Sequence, residues 1–282
     1  MKSLVALLIL GAWQEPATTP KAVATPSGLV LERTVRATSI DWLGKTREVR
    51  RKESVLIKGS NVAVTDLTFG EKLIIRADQK RIALADPLGG HYSEYTFDEA
   101  AAIRKASLDE LRSVRARVPG TADEKEIDAI LEGYDQFSAA PTVVLNVAGA
   151  KRDVILNGSL VRLSVDVDPQ VRSAGTLEAL ALTGAFHPAV AEQIKNLGDL
   201  PMKGRVRYVL FMDRVVEEFE VTSVKAQEIA DSEFDLPKGL AKVPLKGFGR
   251  PPERKPPKPA EFKRDFSEDG PPVEKNPEKK GK

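Results

Sequence analysis

Apolar and polar residues alternate with a period of two along much of residues 27–247, and this pattern constrains the fold more than any other feature of the chain. In the first such stretch, Leu31 and Val35 share one face, while the other face carries charged and hydroxyl side chains. A period of two is typical of a β-strand with one buried and one solvated face. Short turn sequences separate the stretches at hairpin-like spacings, which predicts an antiparallel meander.

Three segments replace this alternation with helical spacing. We predict a first helix with Asp98 as its N-cap and a second that starts with a capping box of Thr121 and Glu124. A third helical region spans about 177–197 and is broken at Gly184. The predicted fold class is therefore α+β, with one mainly antiparallel sheet that carries helices on one face.

The N-terminal segment, residues 1–24, has the layout of a secretory signal peptide. Lys2 precedes an apolar run from Leu4 to Ala12, which is too short to span a bilayer. Cleavage after Ala12 and cleavage after Ala24 both fit the small residues present. We expect a periplasmic or secreted protein with no transmembrane span after processing. An uncleaved N-terminal anchor is the alternative.

Residues 248–282 differ in composition from the rest of the chain. Eight of the nineteen prolines lie here, among many Lys and Glu residues, so we expect a disordered tail after a folded domain of residues 27–247.

Several classes of chemistry are excluded or weakened by composition. The chain has no cysteine, which excludes thiol nucleophiles, disulfides and thiolate zinc sites. A net charge of +2 with interleaved signs argues against nucleic acid as a partner. The two histidines, His91 and His187, have no companion at catalytic or ligand spacing, and Asp166 with Asp168 lacks the further oxygen ligands of a calcium site. We therefore predict no enzyme activity, no metal site and no cofactor.

The order of segments resembles a secreted bacterial family of unknown function with a LolA-like, lipoprotein-carrier fold. The resemblance lies in Ile57–Val64, in Leu73–Arg76, in Ile82–Pro87 and, most clearly, in the closing Phe234–Gly239 segment, which reads Phe-Asp-Leu-Pro-Lys-Gly. The family resemblance implies a strongly curved antiparallel half-barrel that is covered by helices and encloses an apolar cavity.

In the carriers of that superfamily, such a cavity holds acyl chains, so the resemblance implies a non-enzymatic protein that binds a lipid or lipoprotein acyl chain. Candidate lining residues are those at the apolar parity of their strands: Leu31, Val35, Ile57, Ile75, Leu84, Leu145, Leu163, Val165, Tyr208, Leu210 and Phe219. Two alternatives stay open. The same residues would form a filled core, or the protein would act as a cell-envelope scaffold that engages a protein partner through its sheet edge or basic tail.

Overall fold

The computed structural model describes residues 28–40, 44–134, 142–156, 162–211 and 213–244, and within them the fold is α+β. The helices are α1 (Phe97–Arg117), α2 (Ala122–Glu132), α3 (Thr176–Leu182) and α4 (Pro188–Lys195). The strands are β1 (Gly28–Ile40), β2 (Thr46–Lys58), β3 (Asn61–Asp66), β4 (Lys72–Arg76), β5 (Arg81–Asp86), β6 (His91–Thr96), β7 (Val143–Ala148), β8 (Lys151–Leu156), β9 (Arg162–Asp168), β10 (Leu200–Leu210), β11 (Asp213–Gln227) and β12 (Ala241–Lys242).

All twelve strands of the described residues form one open sheet in the order β12-β6-β5-β4-β3-β2-β1-β11-β10-β9-β8-β7. Neighbouring strands are antiparallel, except that the short β12 runs parallel to β6. The long strands β1, β2, β10 and β11 lie in the middle, and β7 is an edge. The prediction of a mainly antiparallel sheet is confirmed.

The sheet is strongly curved. Tyr95 on β6 and Phe211 after β10 belong to strands that are seven steps apart in the sheet, which is about 34 Å on a flat sheet. Their ring centroids are only 5.3 Å apart. The two sides of the sheet therefore approach each other across a concave face.

Helices α3 and α4 fill this concave face. α3 contacts β3, whereas α4 contacts β7 and β8 on the other side of the sheet. Leu177, Leu180, Val190 and Ile194 on these helices are buried in the same hydrophobic cluster as the concave side chains of the strands. We call this set the main cluster.

Helices α1 and α2 differ from the prediction that all helices lie on one face. α1 begins in the main cluster at Ala100, but its later turns and α2 pack against Ile40 and Val209 in a second cluster. Because side chains alternate along a strand, Val209 lies on the opposite face from Tyr208. The helical pair therefore extends onto the convex side.

The convex face of β3–β5 is covered by chain that follows β11. Ile229 and Phe234 pack with Ala63, Ile74 and Ala83 in a third cluster. As a result, Ile74 and Ile75 are both buried although they point to opposite faces. These short strands are buried on both sides.

The N-terminal caps of α1 and α2 satisfy backbone N–H groups that a helix start leaves free. The cap of α1 is Thr96, not Asp98: Thr96 accepts from the Glu99 N–H at 3.2 Å, and the Glu99 side chain accepts from the Thr96 N–H at 2.7 Å. Thr121 caps α2 and accepts from the Glu124 N–H at 3.2 Å, but the Glu124 side chain accepts from the Gly120 N–H instead of the Thr121 N–H, so the predicted capping box forms only in part.

The predicted signal segment 1–24, the domain boundary at 247 and the tail 248–282 lie outside the described residues. No helix in the described part of the chain is both long and apolar enough to cross a membrane.

Candidate apolar site on the concave face

All eleven residues proposed as a cavity lining lie together in the main cluster. Eight of them are buried: Leu31, Val35, Ile57, Ile75, Leu163, Val165, Tyr208 and Phe219. The other three, Leu84, Leu145 and Leu210, are partly buried and pack against the cluster. The alternation of the sequence therefore identified one continuous face.

The cavity found on this face is small. A cavity of about 20 Å³ lies beside Leu31 and Phe219, between β1, β10, β11 and α3. This volume accommodates about one water molecule and no acyl chain. Side chains of α3, α4 and the start of α1 pack on this face.

A buried ionic network crosses the middle of this otherwise apolar face. Arg33 on β1 lies directly opposite Glu53 on β2, and its Nε donates to Glu53 Oε2 at 2.6 Å. Arg33 also approaches Glu217 on β11, with 3.5 Å between Nη2 and Oε1, and its guanidinium carbon lies 5.7 Å from the Phe219 ring centroid. Arg33 thus binds β1, β2 and β11 together.

A second arginine completes the network. Arg51 contacts Glu53 and donates to Glu217 Oε2 at 3.3 Å, and the Tyr208 hydroxyl donates to the same oxygen at 2.9 Å. Two guanidinium groups thus balance two carboxylates. Among these groups, Arg51 is the most exposed, at 22% of its side chain.

The network shifts the ionisation of its members. Burial by itself would raise the pKa of Glu53, but Arg33 and Arg51 outweigh it and hold this pKa below its usual value. Burial, together with the negative charge of Glu217, raises the pKa of Tyr208 well above its usual value. The phenol therefore stays protonated and can donate to Glu217 at neutral pH.

The α3–α4 pair is connected to the sheet through glycine-containing turns. Gly175 (φ +59°) precedes α3, and Gly184 (φ +74°) lies in the turn between the helices. The Val209 N–H donates to the Ala185 carbonyl at 3.2 Å, and the Tyr134 hydroxyl donates to the Gly184 carbonyl. The helices themselves meet the sheet mainly through apolar side chains.

Three of the titratable groups singled out in the sequence, His91, His187 and Asp168, have structural partners. His187 caps α4 by accepting from the Ala189 N–H at 3.1 Å, and His91 lies 3.0 Å from the Gly89 carbonyl. Asp168 accepts from the Gln170 N–H at 2.9 Å. Within the described ranges, no group of three or more His, Asp or Glu side chains is placed to hold a metal ion.

The four charged residues of the network, Arg33, Arg51, Glu53 and Glu217, were absent from the sequence-based site, whereas Tyr208 was part of it. A signal was present, because Arg33 stands at the buried parity between Leu31 and Val35, and Glu53 precedes the buried Val55 at the same parity. Two opposite charges at core-facing positions of neighbouring strands indicate a buried ion pair. Recognising this required the register of β1 against β2.

No protein-family model matches the chain, and no curated protein matches it. Among solved structures, the chain is similar to the crystal structure of an uncharacterized conserved protein from Thermus thermophilus. The identity is 7%, the alignment covers 77% of this chain and 91% of that chain, and the TM-score is 0.34. A similarity at this level carries no argument about fold or function.

Proposed function

We propose that the protein is a non-enzymatic binder of an apolar, chain-like ligand, such as the acyl chain of a lipid or lipoprotein, on the concave face of a LolA-like fold. The observation that carries this proposal is the largely apolar concave face of the sheet, which is covered by the short helices α3 and α4 and the start of α1 instead of a second sheet. Location in the periplasm or outside the cell is part of the proposal and rests on the N-terminal sequence pattern alone.

Because the cavity holds about one water molecule, a ligand chain must take the place of helical side chains. Five apolar residues of this region contribute to the cover: Leu177, Leu180, Val190, Ile194 and Leu197. Burying such side chains contributes about 1.5–3 kcal/mol each, and burying an acyl methylene contributes about 0.8 kcal/mol. For five such side chains the loss is roughly 7.5–15 kcal/mol, which an acyl chain of roughly 10 to 19 carbons offsets.

The connections of the helical pair support displacement. Gly175 and Gly184 have positive φ angles, and Gly198 after α4 has φ +70°. Backbone positions at the ends of elements absorb the dihedral changes of hinge motions. Moving the pair would break few polar contacts among the described residues, chiefly those of the Gly184–Ala185 turn.

The test is lipid binding by the purified full chain. Native mass spectrometry after gentle purification should detect a co-purifying acyl lipid, and a fluorescent fatty acid should bind. Leu180→Ala weakens the helical cover and should increase fatty-acid affinity several-fold. Ile130→Ala makes a comparable truncation in the second cluster and serves as the matched control, with affinity unchanged. Absence of both co-purifying lipid and fatty-acid uptake contradicts the proposal.

A second candidate function is a cell-envelope interaction protein. The observation that favours it is the edge strand β7, where Val144 is 46% and Val147 is 60% exposed. Exposed apolar edge strands are templates for strand addition by a partner. Val144→Lys, or deletion of residues 248–282, should abolish partner capture and leave fatty-acid binding intact if this function applies.

A further inference from the structure

Arg104 on α1 is a buried cation without a counter-ion in the described part of the chain. Its side chain lies on the buried side of α1 with Ala100 and Ser107, and the residue is only 2% exposed. Neither Nη1 nor Nη2 has a hydrogen-bond partner within the described ranges. Among the same residues Arg104 forms no ion pair, whereas Arg33 and Arg51 each contact two carboxylates.

The guanidinium group lies beneath the turn that joins α3 to α4. A Cβ atom added to Gly184 would lie 3.1 Å from Nη2 of Arg104, so the glycine allows close approach. The Tyr134 hydroxyl donates to the Gly184 carbonyl at the same place. The next two residues of the turn, Ala185 and Phe186, belong to the main cluster. Arg104 thus lies where the turn meets the concave face.

An unpaired buried cation is unfavourable, and native proteins pair buried charges or bind an ion to them. Arginine stays charged under ordinary conditions, so the group cannot escape this penalty by losing its proton. Nη1 and Nη2, the two unpaired atoms, are the pair that one carboxylate can bridge with parallel hydrogen bonds. The pattern of missing bonds therefore matches a small planar anion.

We propose that Arg104 binds the carboxylate of a fatty-acid-type ligand whose chain lies on the concave face in place of the α3–α4 side chains. This inference rests on the proposed function and adds the class of head group. The guanidinium group lies close to Gly184, and the next residues of the turn, Ala185 and Phe186, belong to the main cluster, so a chain bound at Arg104 would extend toward the concave face.

The test compares two ligands that share a tail and differ in charge. Dodecanoate and dodecan-1-ol are titrated into the full-length chain by calorimetry at about pH 8, where the carboxylate is ionised. Dodecanoate should bind about 10- to 100-fold more tightly, which is the range expected for a hydrogen bond to a charged group. Arg104→Met should remove this preference, whereas Arg104→Lys should retain part of it.

Arg207→Met is the matched control. Arg207 also has an unbonded Nη1 within the described residues, but it lies on β10 in the position before Tyr208 and so points away from the concave face. Its replacement should leave the preference for dodecanoate unchanged.

The outcomes separate the two proposals. Equal binding of dodecanoate and dodecan-1-ol by the unmodified protein overturns the role of Arg104 and leaves the apolar site standing. Binding of neither ligand overturns the proposed function and the inference with it. If Arg104→Met does not fold, the comparison of the two ligands on the unmodified protein still decides the question.

Discussion

Nε of Arg33 lies 2.6 Å from Oε2 of Glu53 across β1 and β2, and both side chains are buried on the concave face. The pair joins two central strands at the point where the sheet is otherwise lined by apolar residues. A buried pair of this kind adds little net stability compared with apolar residues of the same volume, but removal of one member leaves a charge unpaired. The network therefore makes the concave face intolerant of single substitutions.

Glu53→Gln is expected to lower the free energy of unfolding by about 3–5 kcal/mol, because Arg33 and Arg51 then share Glu217 alone and one buried positive charge is left without a counter-charge. Urea denaturation measures this loss. Glu48→Gln is the matched control, since Glu48 pairs with Arg36 on the exposed side of the same strand and should have little effect. Equal effects of the two substitutions would contradict the buried network.

The stability of the protein should fall in acid through Glu53. Its pKa is lowered in the folded state, since the two arginines outweigh the effect of burial. A lowered pKa gives stability that is fully present above the unfolded value of about 4.3 and lost as the pH falls through the folded pKa. The difference in unfolding free energy between the unmodified protein and Glu53→Gln should therefore shrink below about pH 4. A difference that stays constant over this range argues against the assignment.

Most strands were predictable because one face of each lies in the core. The alternating positions that Leu31, Leu163 and Phe219 occupy along their strands are therefore enough to indicate the buried side. The alternation fails in β4, where Ile74 and Ile75 are both buried. The cause is Phe234, distant in sequence, which covers the second face. The sequence pattern within a strand cannot show that a distant residue packs on its second face.

The site was predictable only in part. The sequence indicates which residues face inward, but the room left between them depends on how closely α3 and α4 approach the sheet. The cap of α1 shows the same limit on a smaller scale: Asp98 and Thr96 are both good capping residues, and the end of β6 at Thr96 decides between them. Arg104 was missed although it lies four residues before Leu108 and seven before Leu111, on the buried side of α1, because the long arginine side chain can usually reach solvent from such a position.

Tyr134 should report on Arg104 in alkaline solution. Burial raises the pKa of Tyr134 to about 12, and the positive charge of Arg104 opposes this rise. A raised pKa gives stability that is present below the unfolded value of about 10 and lost as the pH rises toward the folded value. Arg104→Met should move the pKa of Tyr134 higher still, which the phenolate absorbance measures against Tyr134→Phe. A fall in the pKa of Tyr134 in Arg104→Met would contradict the proximity of the two groups.

Gly204→Ala tests how tightly β9 and β10 approach on the concave face. Alanine in place of glycine within a strand ordinarily stabilises a protein by about 0.5–1 kcal/mol. At Gly204, however, the added Cβ would lie 2.6 Å from the Ser164 carbonyl oxygen and 3.1 Å from the Val165 Cα. Backbone atoms cannot rotate away, so the strands must separate, and we expect a loss of about 1–3 kcal/mol in urea denaturation.

The sign of the change in unfolding free energy is decisive. Close packing of β9 against β10 predicts a loss of stability, whereas an ordinary glycine-to-alanine replacement in a strand predicts a gain. Lys203→Ala, at the adjacent exposed position, controls for substitution on the same strand and should leave the unfolding free energy nearly unchanged. A Gly204→Ala variant as stable as the unmodified protein would mean that β9 and β10 can accommodate the added methyl group. The concave face would then have space beside Gly204, at the position where Val165 now lies in close contact.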